Sequence, residues 1–130
     1  MPGQWNCADV ETAGMKRQEA EQRGRRGENF AAWWLRLHGW RIIGQRVKTP
    51  RGEIDLIARR MGVVAFIEVK WRRTAEQLGQ SIDEYRLRRV AAAVEAVAHK
   101  FMREGDTARI DVMLLAPKHL PRHITNAWQP

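Results

Sequence analysis

The sequence predicts an α/β fold, a mixed central sheet flanked by helices in the order α-β-β-β-α-β-(β). Three observations predict it. A charged, helix-forming stretch precedes three short β-patterned runs separated by turn residues. A long amphipathic helix follows them, and a further apolar strand comes after that helix.

The first helix is expected over residues 16–38. Phe30, Trp33, Trp34 and Leu37 recur at i, i+3, i+4 and i+7, which predicts one apolar face, and Gly39 stops the helix. Gly24 and Gly27 weaken it by up to about 1 kcal/mol each relative to Ala, marking a late start or close packing. Residues 40–47 (WRIIGQRV) read as a strand, followed by a turn around Pro50 and Gly52. Residues 52–59 alternate, with Ile54, Leu56 and Ala58 pointing one way and Glu53, Asp55 and Ile57 the other. Residues 63–71 (VVAFIEVKW) form a nearly continuous apolar run, as a strand covered on both faces would, and Met61-Gly62 is the centre of a hairpin.

The next helix opens on a Ser81-x-x-Glu84 capping box. Leu87, Val90, Val94, Val97 and Phe101 make its core-facing stripe, and Gly105 supplies its stop. Residues 107–116 are another apolar strand ended by Pro117, and residues 123–128 offer a short last one.

The chain has 130 residues, enough for a single modest core. Residues 1–15 read as a flexible leader and residues 16–130 as the domain. No apolar run reaches the roughly 18 residues that a membrane helix needs, and the polar N-terminus lacks a signal-peptide core. A cytoplasmic, non-membrane protein is therefore expected. Cys7 is the single cysteine, which excludes an internal disulfide and a Cys-rich zinc site. His38, His99, His119 and His123 have no metal-ligand spacing. No Gly-rich phosphate loop or nucleophile elbow is present.

Net charge is +8, and the excess is concentrated: residues 16–60 hold twelve Lys/Arg against five Asp/Glu. A basic surface of this kind suits a polyanion, because neutralising phosphates releases condensed counterions. A solubility-promoting surface, an anionic membrane or an acidic protein partner are the alternatives.

The informative residues are polar ones where strands should be apolar. Glu68 and Lys70 interrupt a hydrophobic strand and, two apart, project from the same face. Burying such charges costs several kcal/mol unless they are paired or metal-bound. Asp55 interrupts the preceding strand. With the hairpin centred on Met61-Gly62, Asp55 stands opposite Glu68, their Cβ atoms about 5 Å apart. Two carboxylates that close repel, and a divalent cation between them removes the conflict. Such oxygen ligands suit Mg²⁺, which takes one or two carboxylates and keeps several waters. Lys70 is then a point charge for a phosphate and can orient or deprotonate the attacking water. Glu28, just before the aromatic face of the first helix, can reach the sheet edge. The alternative is an internal salt-bridge network of Asp55, Glu68 and Lys70 without metal, with Glu28 pairing with Arg25 or Arg26. Glu53 reads as a surface or turn residue. Asp111 reads as a structural partner of Arg109 or another basic neighbour.

A helix carboxylate, a strand Asp and E-x-K on the next strand, here Glu28, Asp55 and Glu68-Val69-Lys70, resemble the PD-(D/E)XK, or restriction-endonuclease-like, nuclease superfamily. Gly27-Glu28, the run GEIDLIA from Gly52, FIEVK from Phe66 and RIDV from Arg109 together are similar to the YraN family. The His123-Ile124-x-Asn126-Ala127 ending resembles that family's C-terminus, so the likeness covers residues 20–127. E-x-K alone is weak, whereas GEIDLIA followed by an apolar strand ending in EVK is specific. The resemblance implies a fold similar to archaeal Holliday-junction resolvases, Mg²⁺ or Mn²⁺ bound by Asp55 and Glu68, and a phosphodiester substrate. It also suggests a homodimer. Two departures bear on the substrate-facing rim: Trp71 follows Lys70 where a small or polar residue is expected, and Arg86 stands where Lys is frequent.

The expected function is thus a Mg-dependent endonuclease acting on nucleic acid, DNA in the first instance and branched or junction DNA by resemblance. Glu28, Asp55, Glu68 and Lys70 are its catalytic residues. Arg23, Arg25, Arg26, Arg46, Lys48 and Arg51 are expected to grip backbone phosphates without sequence readout. Exposed Trp residues can stack on unpaired bases, although most of the six are expected in the core. The alternative is a nucleic-acid-binding module that keeps the fold and cleaves little or nothing.

Overall fold

A computed structural model describes residues 25–72 and 84–128. Within them the first helix, α1, covers residues 25–37. Five strands follow the expected order: β1 (Arg41–Thr49), β2 (Gly52–Arg60), β3 (Val63–Trp71), β4 (Thr107–Leu115) and β5 (Arg122–Ile124). The second helix, α2 (Glu84–Phe101), lies between β3 and β4. The capping-box Ser81 falls outside the described residues.

The sheet runs β1-β2-β3-β4-β5. All neighbours are antiparallel except β3 and β4, which are parallel. Parallel neighbours need a crossover, and α2 lies within that connection. Met61 and Gly62, with φ of 50° and 78°, form the two-residue β2–β3 turn, which matches the strands' twist through two positive φ values. The ladder from Arg60↔Val63 to Leu56↔Ile67 has the register expected from the sequence. Strand β1 is less regular. Its register shifts between Ile42 and Gly44, and Arg46 has φ 50°. A Cβ on Gly44 would lie 3.2 Å from Ile57 Cδ1 and 3.3 Å from Phe101 Cε1, so the close packing of β1, β2 and α2 depends on its absence.

The sheet is covered on both faces. Beneath α2, the stripe Leu87, Val90, Val94 and Val97 packs on Ile57, Phe66, Val112 and Leu114, with Phe101 partly buried at its end. Ile54 joins this cluster and not that of Leu56 and Ala58, so the simple alternation expected of β2 breaks near the end of its ladder with β3. On the other face, Ala31, Ala32 and Leu35 of α1 cover Leu56, Ala65, Ile67 and Met113.

This last arrangement corrects the face expected for α1. Phe30, Trp33 and Leu37 are 44%, 53% and 60% exposed, while Ala31, Ala32 and Leu35 are buried. The spacing of the aromatic set was helical, but spacing cannot say which of two apolar stripes faces inward. Small residues let α1 lie close to the sheet, with a Gly27 Cβ position only 3.4 Å from Leu115 Cδ1. The helix ends as expected at Gly39: Trp40 N–H donates to Leu35 O, Gly39 N–H donates to Arg36 O, and Gly39 takes φ 86°. Helix α2 ends at Phe101, and Gly105 sits beyond it in a turn with φ 88°. That turn is tied to β2 through the Arg59–Asp106 ion pair.

Strand β5 is shorter than expected and is anchored by Asp111. This carboxylate is wholly buried and accepts hydrogen bonds from Arg109 Nε and Nη2, both at 2.9 Å, and from Asn126 N–H at 2.9 Å. His123 Nε2 lies 2.7 Å from it. Burial would raise the carboxyl's pKa, but the bonds with His123, Arg109 and Asn126 prevail and hold it below its ordinary value. The structural role expected for Asp111, including its Arg109 partner, is what the structure displays.

Candidate active site

Three of the four expected catalytic side chains come from β2 and β3. Strand β3 alternates: Val64 and Phe66 pack under α2, so Glu68 and Lys70 continue that face toward the strand's end. Both are almost fully buried, at 6% exposure each. Lys70 Nζ lies 3.3 Å from Glu68 Oε1, and Arg86 Nε reaches the same oxygen at 2.5 Å from α2. The Arg86 side chain is 61% exposed, so this pair forms the rim of the site.

The Asp55 carboxylate reaches across to β3 differently from the simple opposition expected. The regular β2–β3 ladder stops at Leu56↔Ile67, one step before Asp55 and Glu68. There Val69 N–H donates to Asp55 Oδ2 at 2.8 Å. Asp55 and Glu68 nevertheless line one cleft of about 490 Å³, together with Glu53, Gly52, Arg86 and Arg89. Burial raises the Asp55 pKa to about 6; the Val69 N–H opposes the rise, and the negative charges of Glu28, Glu68 and Glu53 add to it. Burial also pushes the Lys70 ammonium below its ordinary value, against the opposing pull of Glu68.

Glu28 approaches from α1. It accepts a 2.5 Å ion pair from Arg46 of β1, and not from Arg25 or Arg26. Its charge is felt at Asp55, which places it beside the site without making it a lining residue of the cleft. Among the expected phosphate-gripping residues, Arg25, Arg26, Lys48 and Arg51 are exposed. Arg46 is committed to Glu28, and Arg23 lies outside the described residues. Arg89 is the cleft residue that sequence reasoning missed. Its signal was available, since it lies three residues after Arg86 on the same helix, and residues so spaced share a face.

The residues present fit a divalent cation in the modest sense that Mg²⁺ requires. Among the described residues no set of three or more His, Cys, Asp and Glu side chains converges as a ligand cage. Mg²⁺ binds through one or two carboxylates, waters and substrate phosphates, and needs no such cage. Asp55 and Glu68 are the two carboxylates that would serve this purpose at the wall of the cleft. Burial is the main reason the Asp55 pKa is raised, and the neighbouring carboxylates add to it. No helix among the described residues is long and apolar enough to cross a membrane.

Comparison with known proteins bears on the whole assembly. A protein of Erythrobacter litoralis designated UPF0102 protein is 65% identical over 116 residues, covering 89% of this chain and 100% of that protein. A protein of the same designation from Sphingopyxis alaskensis is also 65% identical over 116 residues, with the same coverage. One from Rhizorhabdus wittichii is 59% identical over 113 residues, covering 87% of this chain and 96% of that protein. The family model matches residues 27–115, from the buried turn of α1 to the end of β4, and so takes in every residue of the cleft. The chain belongs to the uncharacterised protein family UPF0102, the YraN family.

Proposed function

We propose that this protein is a divalent-metal-dependent nuclease that hydrolyses phosphodiester bonds in nucleic acid, DNA in the first instance. The observation that carries the reading is that Asp55 and Glu68 line one cleft rimmed by Arg86 and Arg89, with Lys70 buried against Glu68 behind its wall. A purely structural ion-pair network has no need of an open cleft on its acidic members.

Each residue has a separate task. Asp55 and Glu68 hold the cation, which when bound supplies Lewis acidity and positive charge at the phosphate. Lys70, buried against Glu68 near the end of β3, adds its positive charge close behind the cleft wall, where charge grows on the phosphate oxygens. Its lowered pKa also brings it closer to exchanging a proton with an attacking water. Arg86 and Arg89 contact flanking phosphates, and the exposed Arg25, Arg26, Lys48 and Arg51 extend the same electrostatic grip. Glu28 keeps Arg46 in place and adds negative charge near Asp55.

One observation favours a second reading, a binding module with little or no cleavage. Glu68 Oε1 already contacts two cationic side chains, so a metal ion must compete with Arg86 for that carboxylate.

The test is incubation of the purified protein with single-stranded, duplex and four-way-junction DNA, and with RNA, in Mg²⁺, Mn²⁺ or EDTA. The nuclease reading expects metal-dependent cuts that disappear in Asp55→Ala and Lys70→Ala. A preference for the four-way junction is expected if the substrate is branched DNA. Binding without cutting in every metal supports the second reading. Cutting that survives both substitutions belongs to a contaminant.

A further inference from the structure

The opposite face of the sheet, at the same end of β3, carries a groove of about 680 Å³ that the cleavage reading does not use. Arg26 and Phe30 of α1, Trp71 of β3 and the segment after β4, including Lys118 and His119, line it. Phe30 and Trp71 are 44% and 40% exposed. Phe30 also stands 6.0 Å from Trp33, centroid to centroid, and Trp33 is itself half in water. Helix α1 is packed by small residues and Leu35, so these aromatic rings add nothing to the core beneath it. Aromatic rings left exposed along one groove are candidates for contact with a partner.

Charge indicates what it binds. Arg26, Lys118 and His119 supply the polar rim, and among the described residues none that lines the groove is acidic. Two copies of the chain meeting through this face would bring Arg26 and Lys118 of each toward cations of the other, a poor core for a symmetric interface. A polyanion with flat apolar groups uses both features. Position points the same way: Trp71 directly follows Lys70, with Trp71 turned to the α1 side and Lys70 to Glu68. The groove and the cleft therefore meet around the end of β3.

We propose that this groove holds a single-stranded segment of nucleic acid, with unpaired bases stacked on Trp71 and Phe30 and phosphates held by Arg26 and Lys118. Bases in a duplex have their faces covered by neighbouring pairs, so only unpaired ones can stack here. Every base has such a face, and no sequence preference is expected. The proposal deepens the nucleic-acid reading above and rests on it.

The experiment is fluorescence anisotropy in EDTA, where no metal-dependent cutting occurs, with a labelled thymidine strand and an abasic strand of equal length. The base-bearing strand is expected to bind about tenfold more tightly, in line with base–aromatic stacking. Trp71→Ala and Phe30→Ala should each reduce that advantage, while Arg26→Ala and Lys118→Ala weaken both strands alike and flatten the salt dependence. Circular dichroism and thermal melting verify that the variants fold, as expected for half-exposed positions. Equal affinity for the two strands overturns the proposal, as does an advantage that survives Trp71→Ala. So does a Trp71→Ala variant that loses a dimer in sedimentation while its strand binding is unchanged. Cleavage assays with metal separate the two ideas: cutting without the stacking advantage sinks the groove alone. Stacking without cutting sinks the hydrolytic reading alone.

Discussion

Val69 donates its backbone N–H to the Asp55 carboxylate at 2.8 Å, where the β2–β3 ladder has just ended. One carboxylate thus satisfies a strand amide and faces a cleft. Burial leaves it with a pKa of about 6, above the ordinary 3.8. A carboxyl raised on folding favours the folded state while both forms are protonated. That advantage is lost as pH rises from about 4 to about 6, a total change of up to roughly 3 kcal/mol. Asp55→Asn keeps an acceptor for Val69 without the charge. It should stabilise the protein by about 1–2 kcal/mol at pH 7.5 and by nothing measurable at pH 4. Urea denaturation at the two pH values checks this, and an equal effect at both contradicts the burial argument.

Among the described residues, Glu68 pairs with two cations, Lys70 and Arg86, whereas Lys70 pairs with one carboxylate. Removing Glu68 strands a buried ammonium, whereas removing Lys70 leaves Glu68 with Arg86. Glu68→Ala should therefore cost about 3 kcal/mol, and Lys70→Met about 1 kcal/mol or less. Denaturant midpoints measured side by side would expose a reversed order.

On the proposed nuclease reading, a metal ion held by Glu68 would compete with Arg86 for that carboxylate. Arg86→Ala should tighten Mn²⁺ binding several-fold, as read by electron paramagnetic resonance titration of free Mn²⁺, because a competing cation has gone. The same substitution should weaken nucleic-acid binding through loss of a phosphate contact. Unchanged Mn²⁺ affinity would mean that Arg86 and the metal do not compete.

Asp111 gathers Arg109, His123 and the Asn126 amide in a wholly buried position. Asp111→Ala leaves a guanidinium without its counter-charge and cuts the tether of β5. A loss of about 3–5 kcal/mol is expected, with hydrogen exchange accelerating first at Asn126. Loss confined to β4 would argue against the tether.

The two faces of α1 give a packing contrast. Leu35→Ala should cost about 2–5 kcal/mol, and Trp33→Ala no more than about 0.5 kcal/mol, since only Leu35 is enclosed. Thermal melting of the pair is sufficient.

Strand order in the chain, the β2–β3 register and the α2 stripe were legible because each rests on local rules: turn residues, alternation, helical spacing. Asp55, Glu68 and Lys70 were legible because charge inside an apolar strand is costly and therefore conspicuous. What escaped was set by partners distant in the chain. Arg46 lies 18 residues from Glu28, and Arg86 lies 18 from Glu68, separations at which no periodicity links them. The inward face of α1 escaped for a related reason. Ala31 and Ala32 look unremarkable beside four large apolar neighbours, and only the need for close approach to the sheet selects them.

Strand β1 borders the sheet, and among the described residues its ladder partner is β2 alone. A straight, apolar border would invite a stray strand from another molecule to zip onto it. Here the line is broken twice, by the slip at Ile42–Gly44 and by the left-handed turn of backbone at Arg46. Arg41 and Lys48 add charge along it. A newcomer would lose its hydrogen-bond rhythm within a few residues, so this edge is a poor template for strand addition.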